Sequence, residues 1–332
     1  MDKILSIVIP SYNVEKYLEE TLSSLIIDDE HMNMFEALIV DDGSKDTTPD
    51  IASKYQEKYP NTFRLISKEN GGHGSTINVG IKESIGRYFK VLDGDDWFDT
   101  VNFKQLLDKL VSCDSDAVIT NYYEVDDNTR KESPVCFGTL LSDEVTPIEE
   151  VLAKVQIPMH ALVIKSAILK DNNIRMDENR FYVDVEYVLF PIPYIKDIVY
   201  FDTFIYKYRL AVVTQSVSMQ GFQKHIQDHI DVALHLAEFV EDYKEDNEVK
   251  KAYLIKRTAQ MARDQVDIFM SFSIKEQGIK EKFMTFDSEL KKRSMEVYVL
   301  SGYYSGMLRS LRKRNFKGYH AIMLLSKLRN KA

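Results

Sequence analysis

Apolar positions in the first 120 residues form short unbroken runs, separated by stretches with helical spacing. Ser6-Ile7-Val8-Ile9 predicts a buried strand. Residues 14–25, with Tyr17, Leu18, Leu22 and Leu25 on one face, predict an amphipathic helix. The same reading predicts strands at 35–40, 63–66, 88–92 and 117–120 and helices at 51–59, 75–85 and 103–111. The second of those helices follows a glycine-rich loop. Alternation of this kind implies an α/β fold with a mostly parallel central sheet and flanking helices. Ligands of such sheets sit beyond the carboxyl ends of the strands. Asp41-Asp42 and Asp93-Gly94-Asp95-Asp96 both follow predicted strands directly, which puts them on one rim.

Residues 121–220 carry a weaker pattern, with strands near 161–164 and 198–208 around a Tyr/Asp-rich segment, 181–190. From Gln223 onward Ile226, Ile230, Ala233, Leu234, Ala237 and Val240 recur at helical spacing. The expected organisation is an α/β domain over 1–220, in halves 1–120 and 121–220, and a helical region over 221–332. Of the 332 residues, 44% are hydrophobic and 29% charged, as in ordinary globular chains. Two cysteines, Cys113 and Cys136, make no disulfide framework or metal-ligand spacing, which implies a reducing compartment. The first apolar run stops at Pro10, too short for a secretory signal, and 18 apolar residues never run together. A cytoplasmic protein is expected.

Charge is uneven. The net charge is −9, but residues 291–332 hold 11 Lys/Arg against Glu296 alone, so this stretch is +10 and the rest −19. Leu300, Tyr303, Tyr304, Met307, Leu308 and Leu311 keep helical spacing, with Arg309, Arg312 and Lys313 mainly opposite. A second such piece spans 319–328. This pattern suits an interfacial helix on an anionic membrane, here the inner face of the plasma membrane. The alternative is a helix packed on the protein's own acidic body. Nucleic acid is not expected as a partner, because the body is acidic and no nucleic-acid motif occurs. Self-association is left open.

Three carboxylates in four residues at Asp93, Asp95 and Asp96 repel one another and need a cation or several donors. Hard oxygen ligands suit Mg²⁺ or Mn²⁺, which keep positions open for phosphate oxygens. Taken alone, the motif is equally an acidic turn capping a helix. At Asp41-Asp42-Gly43-Ser44 a carboxylate at a strand end is able to accept from a base imide; the bland reading is an Asp/Gly turn. Pro10-Ser11-Tyr12-Asn13 ends the first strand, and Tyr12 is either a platform for a nucleobase or a packing tyrosine.

In this order, with Asn70-Gly71-Gly72 and Asn78-Val79-Gly80 between them, these motifs resemble the inverting family 2 glycosyltransferases of bacterial surface-polysaccharide type. The likeness is close over about the first 125 residues and looser to about 220. It implies a GT-A fold, a UDP-sugar donor, a divalent metal (Mn²⁺ or Mg²⁺) and a glycan or lipid-linked glycan acceptor. Pro10 and Tyr12 would then line the base and ribose pocket, and Asp41, with Asp42 nearby, would read the uracil. Asp93 and Asp95 form the Asp-x-Asp pattern, Asp95 on the ribose side, with Asp95 or Asp96 holding metal and diphosphate. Lys68 and Asn70 are polar contacts. Asp184 takes the place of the catalytic base, although Val183 stands where the family usually has Glu; Glu186 is the fallback. Arg209 and Gln215-Ser216-Val217-Ser218 match the segment that closes over the diphosphate. His73 is either a phosphate or sugar contact or an exposed loop residue, and His160 either lines the sugar pocket or belongs to the core. The rival functions are a nucleotidyltransferase and a non-catalytic nucleotide-sugar-binding protein of the same fold.

Overall fold

The computed structural model describes residues 3–210, 218–244 and 246–329, with side chains up to 325. The chain divides into two compact units, 1–212 and 213–332. Gln215, Ser216 and Val217 lie outside the described residues.

The first unit is built on one sheet. Its strands are β1 (Leu5–Ser11), β2 (Phe35–Asp41), β3 (Phe63–Ser67), β4 (Tyr88–Val91), β5 (Trp97–Phe98), β6 (Ala117–Asp126), β7 (Glu132–Val135), β8 (Val145–Pro147), β9 (Leu162–Lys165) and β10 (Asp197–Leu210). The order is β3-β2-β1-β4-β9-β6-β10-β5, with β7 paired to β6 and β8 to β10. β3, β2, β1 and β4 run parallel. β9 is antiparallel to both β4 and β6, and β10 lies parallel to β6. Every residue of β1 and β2 is buried. A strand covered on both faces has no solvent side to fill with polar residues, which is why these read as continuous apolar runs.

Two elements differ from the sequence pattern. The helix expected over 14–25 is confined to Leu18–Ser23. Asn13 has φ +53°, Val14 N donates to Thr48 Oγ1 at 2.9 Å and Glu15 N to Asp46 Oδ2 at 3.2 Å. The expected first turn is thus spent clasping the loop after β2. β6 runs on from Thr120 to Asp126, through Asn121 and Glu124, polar residues that hide a strand from periodicity.

The second unit is helical, with segments Met219–Lys224, Ile226–Asp242, Glu248–Ser271, Ile279–Arg293, Met295–Tyr304, Gly306–Lys313 and Tyr319–Arg329. Phe269 and Phe283 stack at 4.5 Å in its core, with Leu254, Phe286 and Leu290 also buried. The helical spacing read from Leu300 to Leu311 is broken at Ser305, whose Oγ accepts from Leu308 N at 3.2 Å and starts a new helix. Leu308 and Leu311 are buried, and Arg312 turns inward, its Nε 2.8 Å from Asp287 Oδ1. Among the described residues no helix is long and apolar enough to cross a membrane.

Candidate active site

Ser11 and Asp41 are register partners at the carboxyl ends of β1 and β2, and Asp93 follows β4 by one residue. The acidic loop is pinned to β1, because Gly94 N donates to Pro10 O at 3.1 Å. A Cβ at Gly94 would stand 2.8 Å from that same oxygen, so only glycine fits so close an approach. Asp93 N donates to Tyr206 Oη at 3.1 Å, which ties the loop to β10 as well. Pro10 is buried at the end of β1, while the Tyr12 ring is 50% exposed at the rim.

The three acids have different surroundings. Asp93 Oδ1 is 2.8 Å from His73 Nε2. Burial pushes the Asp93 carboxyl up, but the charge and hydrogen bond of His73 outweigh it and hold it below the usual carboxylate value. His73 is raised in return: burial opposes its charge, and Asp93, with Asp184 and Asp95 further off, overcomes that. Asp95 is pushed up to about 6, by burial and then by the Asp93 charge. Its backbone carbonyl accepts from Arg209 Nε at 2.6 Å, and its carboxylate is half-buried at the rim. Asp96 is fully buried and raised well above the usual value by burial and by its two acidic neighbours. Tyr206 Oη donates to its Oδ2 at 2.6 Å and Arg209 N to its Oδ1 at 2.7 Å. One ligand atom each from Asp93, Asp96 and His160 lie within 4.8 Å of one another. Carboxylates crowded until two resist ionisation, with oxygen as the main donor type, suit a hard divalent cation.

The glycine-rich loop carries a second part of the site. Asp42 turns both carboxylate oxygens into it: Gly71 N (2.9 Å) and Lys68 Nζ (2.6 Å) donate to Oδ1, and Gly72 N (2.8 Å) donates to Oδ2. Asn70 Nδ2 donates to Asp42 O at 2.9 Å. Asp42, Lys68 and Asn70, expected as ligand contacts, therefore brace the loop against β2, while Asp41 is buried and its Oδ1 accepts from Ser44 N at 3.2 Å. Asn78 exchanges hydrogen bonds with the backbone of Met176, both at 2.9 Å. A Cβ on Gly74 would come within 2.1 Å of Asp177 O. The loop and the helix it opens (His73–Glu83) thereby hold segment 176–183, which leads into the helix Asp184–Leu189.

Asp184 is exposed at the start of that helix, and its charge acts on both His73 and Tyr208. Glu186, the fallback base, is fully buried and accepts from Asp177 N at 2.7 Å, so it shapes the turn before Asp184. Arg209 is packed inside the first unit. Expected over a diphosphate, it is 2% exposed, with NH2 on Glu20 Oε2 at 2.6 Å and NH1 on Asp127. The guanidinium lies between the rings of Tyr17 (4.7 Å) and Trp97 (4.6 Å). Ser218, from the same expected segment, caps the helix that follows it through Gly221 N.

Two residues acquire a place that sequence reasoning left undecided or missed. His160 stacks on Tyr208 at 4.0 Å, and burial lowers its pKa to about 4. Lys90, fully buried on β4, donates to His160 O at 2.8 Å and lies 5.5 Å from the Tyr206 ring centroid; burial lowers it to about 7. An apolar strand gives no sign of such a lysine beyond the lysine itself.

Residues 6–168 match the model of the family described as glycosyl transferase family 2. The chain carries a glycosyltransferase family 2 domain. The putative glycosyltransferase EpsH of Bacillus subtilis is 36% identical over 127 residues, 38% of this chain and 36% of that protein. The poly(ribitol-phosphate) β-N-acetylglucosaminyltransferase TarS of Staphylococcus aureus is 29% identical over 173 residues, 52% of this chain and 29% of TarS. The chain thus aligns with about a third of the length of these relatives. The crystal structure of S. aureus TarS 1–349 in complex with UDP-GlcNAc superimposes with a TM-score of 0.66 at 19% identity, covering 98% of this chain and 92% of that one. At that identity the likeness establishes the fold, the mixed α/β GT-A arrangement with a helical C-terminal region. The family 2 domain takes in β1 to β4 and the acidic loop; Asp184 and β10 lie beyond its matched end.

Proposed function

We propose that this protein is a metal-dependent inverting glycosyltransferase that moves a sugar from a UDP-sugar to an acceptor hydroxyl of a cell-surface glycan, capsule or teichoic-acid type. The observation that carries this reading is the acidic loop at the end of β4, pinned to β1 and β10, with the Asp95 carboxylate left at the rim. The relatives support it, TarS being an N-acetylglucosaminyltransferase and its structure a UDP-GlcNAc complex. Hexosyl or N-acetylhexosaminyl transfer is the corresponding reaction.

In this reading Tyr12 lays its exposed ring on the base and Asp41 accepts from the base imide, with Pro10 closing the pocket floor. Asp95 takes the ribose side, beside Asp93, which His73 holds charged. Asp95, with Asp93 and Asp96 beside it, would hold Mn²⁺ or Mg²⁺, which neutralises the leaving diphosphate when bound. Asp184 takes the proton from the acceptor hydroxyl as that oxygen attacks the anomeric carbon from the face opposite the diphosphate. One bond forms at that carbon as the bond to the diphosphate breaks, so its configuration inverts. The acceptor is a glycan or lipid-linked glycan, and the C-terminal unit rests on the inner leaflet that carries it.

Calorimetric titration of UDP, GDP and CDP, each with and without Mn²⁺, tests this reading. Binding of UDP that weakens at least tenfold without metal and in Asp95→Ala is the expected result. Asp184→Asn should keep UDP affinity within twofold and lose transfer by at least a hundredfold. UDP binding indifferent to both metal and Asp95 would remove the transferase reading, and unchanged turnover in Asp184→Asn would remove Asp184 as base.

A further inference from the structure

The helix Met295–Tyr304 buries Val297 and Ser301 and leaves Met295, Val299 and Tyr303 exposed, the last two at 61% and 71%. Their spacing of four residues puts them on one face, an apolar stripe two turns long. Glu296, next to Met295, is paired with Lys251 at 3.1 Å and lines a hollow with Glu241, Asp246 and Glu248 at the start of the helix. The next helix, Gly306–Lys313, buries Leu308 and Leu311 and turns Arg309 and Lys313 outward, again four residues apart. The two helices meet at Gly302, where a Cβ would lie 2.7 Å from Arg312 NH1 and 3.4 Å from Arg309 Cγ. Arg309 therefore borders the apolar stripe. Arg312, by contrast, is spent inside on Asp287. Among the described residues Arg309, Lys313 and the exposed Lys317 have no ion-pair partner.

An apolar stripe beside a row of unpaired cations is the chemistry of a bilayer interface: tyrosine and short apolar chains enter the headgroup boundary while guanidinium and ammonium groups meet lipid phosphates. We propose that this face of the C-terminal unit, Met295, Val299 and Tyr303 flanked by Arg309 and Lys313, docks on an anionic lipid surface. The inference deepens the reading of membrane attachment above. It replaces the expected free amphipathic tail with a preformed platform, because Leu308 and Leu311 are already used in the core. Charge complementarity confines contact to this region: residues 291–332 carry +10 and the other 290 carry −19, which an anionic leaflet repels.

The test is sedimentation of the full chain with vesicles of phosphatidylcholine alone and of phosphatidylcholine with a quarter phosphatidylglycerol, at low and high salt. Binding to the anionic vesicles only, weakened by salt, is expected. Arg309→Glu with Lys313→Glu should lower the partition at least roughly 25-fold, about fivefold per cation lost. Val299→Ser with Tyr303→Ser should weaken it further at high salt, where the apolar stripe carries the contact. Equal binding to both vesicles, or binding indifferent to the charge reversal, overturns the proposal. So does a dimer in light scattering that the Val299→Ser, Tyr303→Ser variant dissociates, since a second copy would then cover the face. The same variants are titrated with UDP and Mn²⁺. Retained UDP binding with lost vesicle binding separates the surface from the transferase reading, and failed UDP binding with intact vesicle binding would sink that reading alone.

Discussion

At Arg209 a guanidinium, a group well matched to phosphate, spends its donors inside the protein on Glu20, Asp127 and the Asp95 carbonyl. Its own backbone N–H holds Asp96, so one residue secures two of the four positions of the acidic loop. Arg209→Met should therefore cost about 2 kcal/mol in urea unfolding, as Glu20 and Asp127 lose one of their two cations and keep Arg130. UDP affinity should fall with it, because the loop loosens. A variant as stable as the parent that had lost UDP binding alone would restore Arg209 to the diphosphate. The sequence records none of these partners for a plain reason: residue type advertises what a side chain is able to bind, and Glu20 is 189 positions away.

The elements around the site are joined by close backbone approaches more than by side chains. The loop Gly71-Gly72-His73-Gly74 is legible as a sequence motif, yet its purpose is visible only against segment 176–183. Gly74→Ala would drive a methyl group into Asp177 O, 2.1 Å from the ideal Cβ. The segment must move, and with it Asp184. We expect a loss of about 1–3 kcal/mol in thermal or urea unfolding and a transfer rate reduced well over tenfold, with UDP affinity changed much less. Unaltered turnover would mean that the segment does not position Asp184. The helical elements teach the complementary lesson. Spacing from Leu300 to Leu311 is regular enough to read as one helix, but Ser305 accepts an amide that only a new helix start supplies.

For the molecule as a whole, the helical unit contains a pH-sensitive core group. His229 is buried, its Nδ1 2.8 Å from Gln265 Oε1, and burial lowers its pKa from 6.5 to about 4. The unfolded chain therefore binds a proton between those values while the folded unit does not. The contribution is complete above pH 6.5 and lost as pH falls towards 4, a change on the order of 3 kcal/mol. Amide exchange in the helix Ile226–Asp242 should accelerate across that window, and His229→Asn should flatten the dependence. An identical pH response in the variant would show that His229 titrates normally.

The sequence by itself determined the strand–helix alternation, the parallel core of β1 to β4 and the acids at the strand ends. Those are local properties: periodicity follows from burial on one or both faces, and a carboxylate after an apolar strand comes to the rim through chain direction alone. What holds each acid was decided only by tertiary structure. Asp42 and Asp96 have the same side chain as Asp41 and Asp95, but Asp42 is occupied by donors from the glycine-rich loop and Asp96 by Tyr206 and Arg209 of β10. The pairing of His73 with Asp93, and the burial of Glu186 beside an exposed Asp184, follow from the same cause. Hydrogen-bond partners 20 to 113 residues apart are chosen by packing, and no local pattern records that choice.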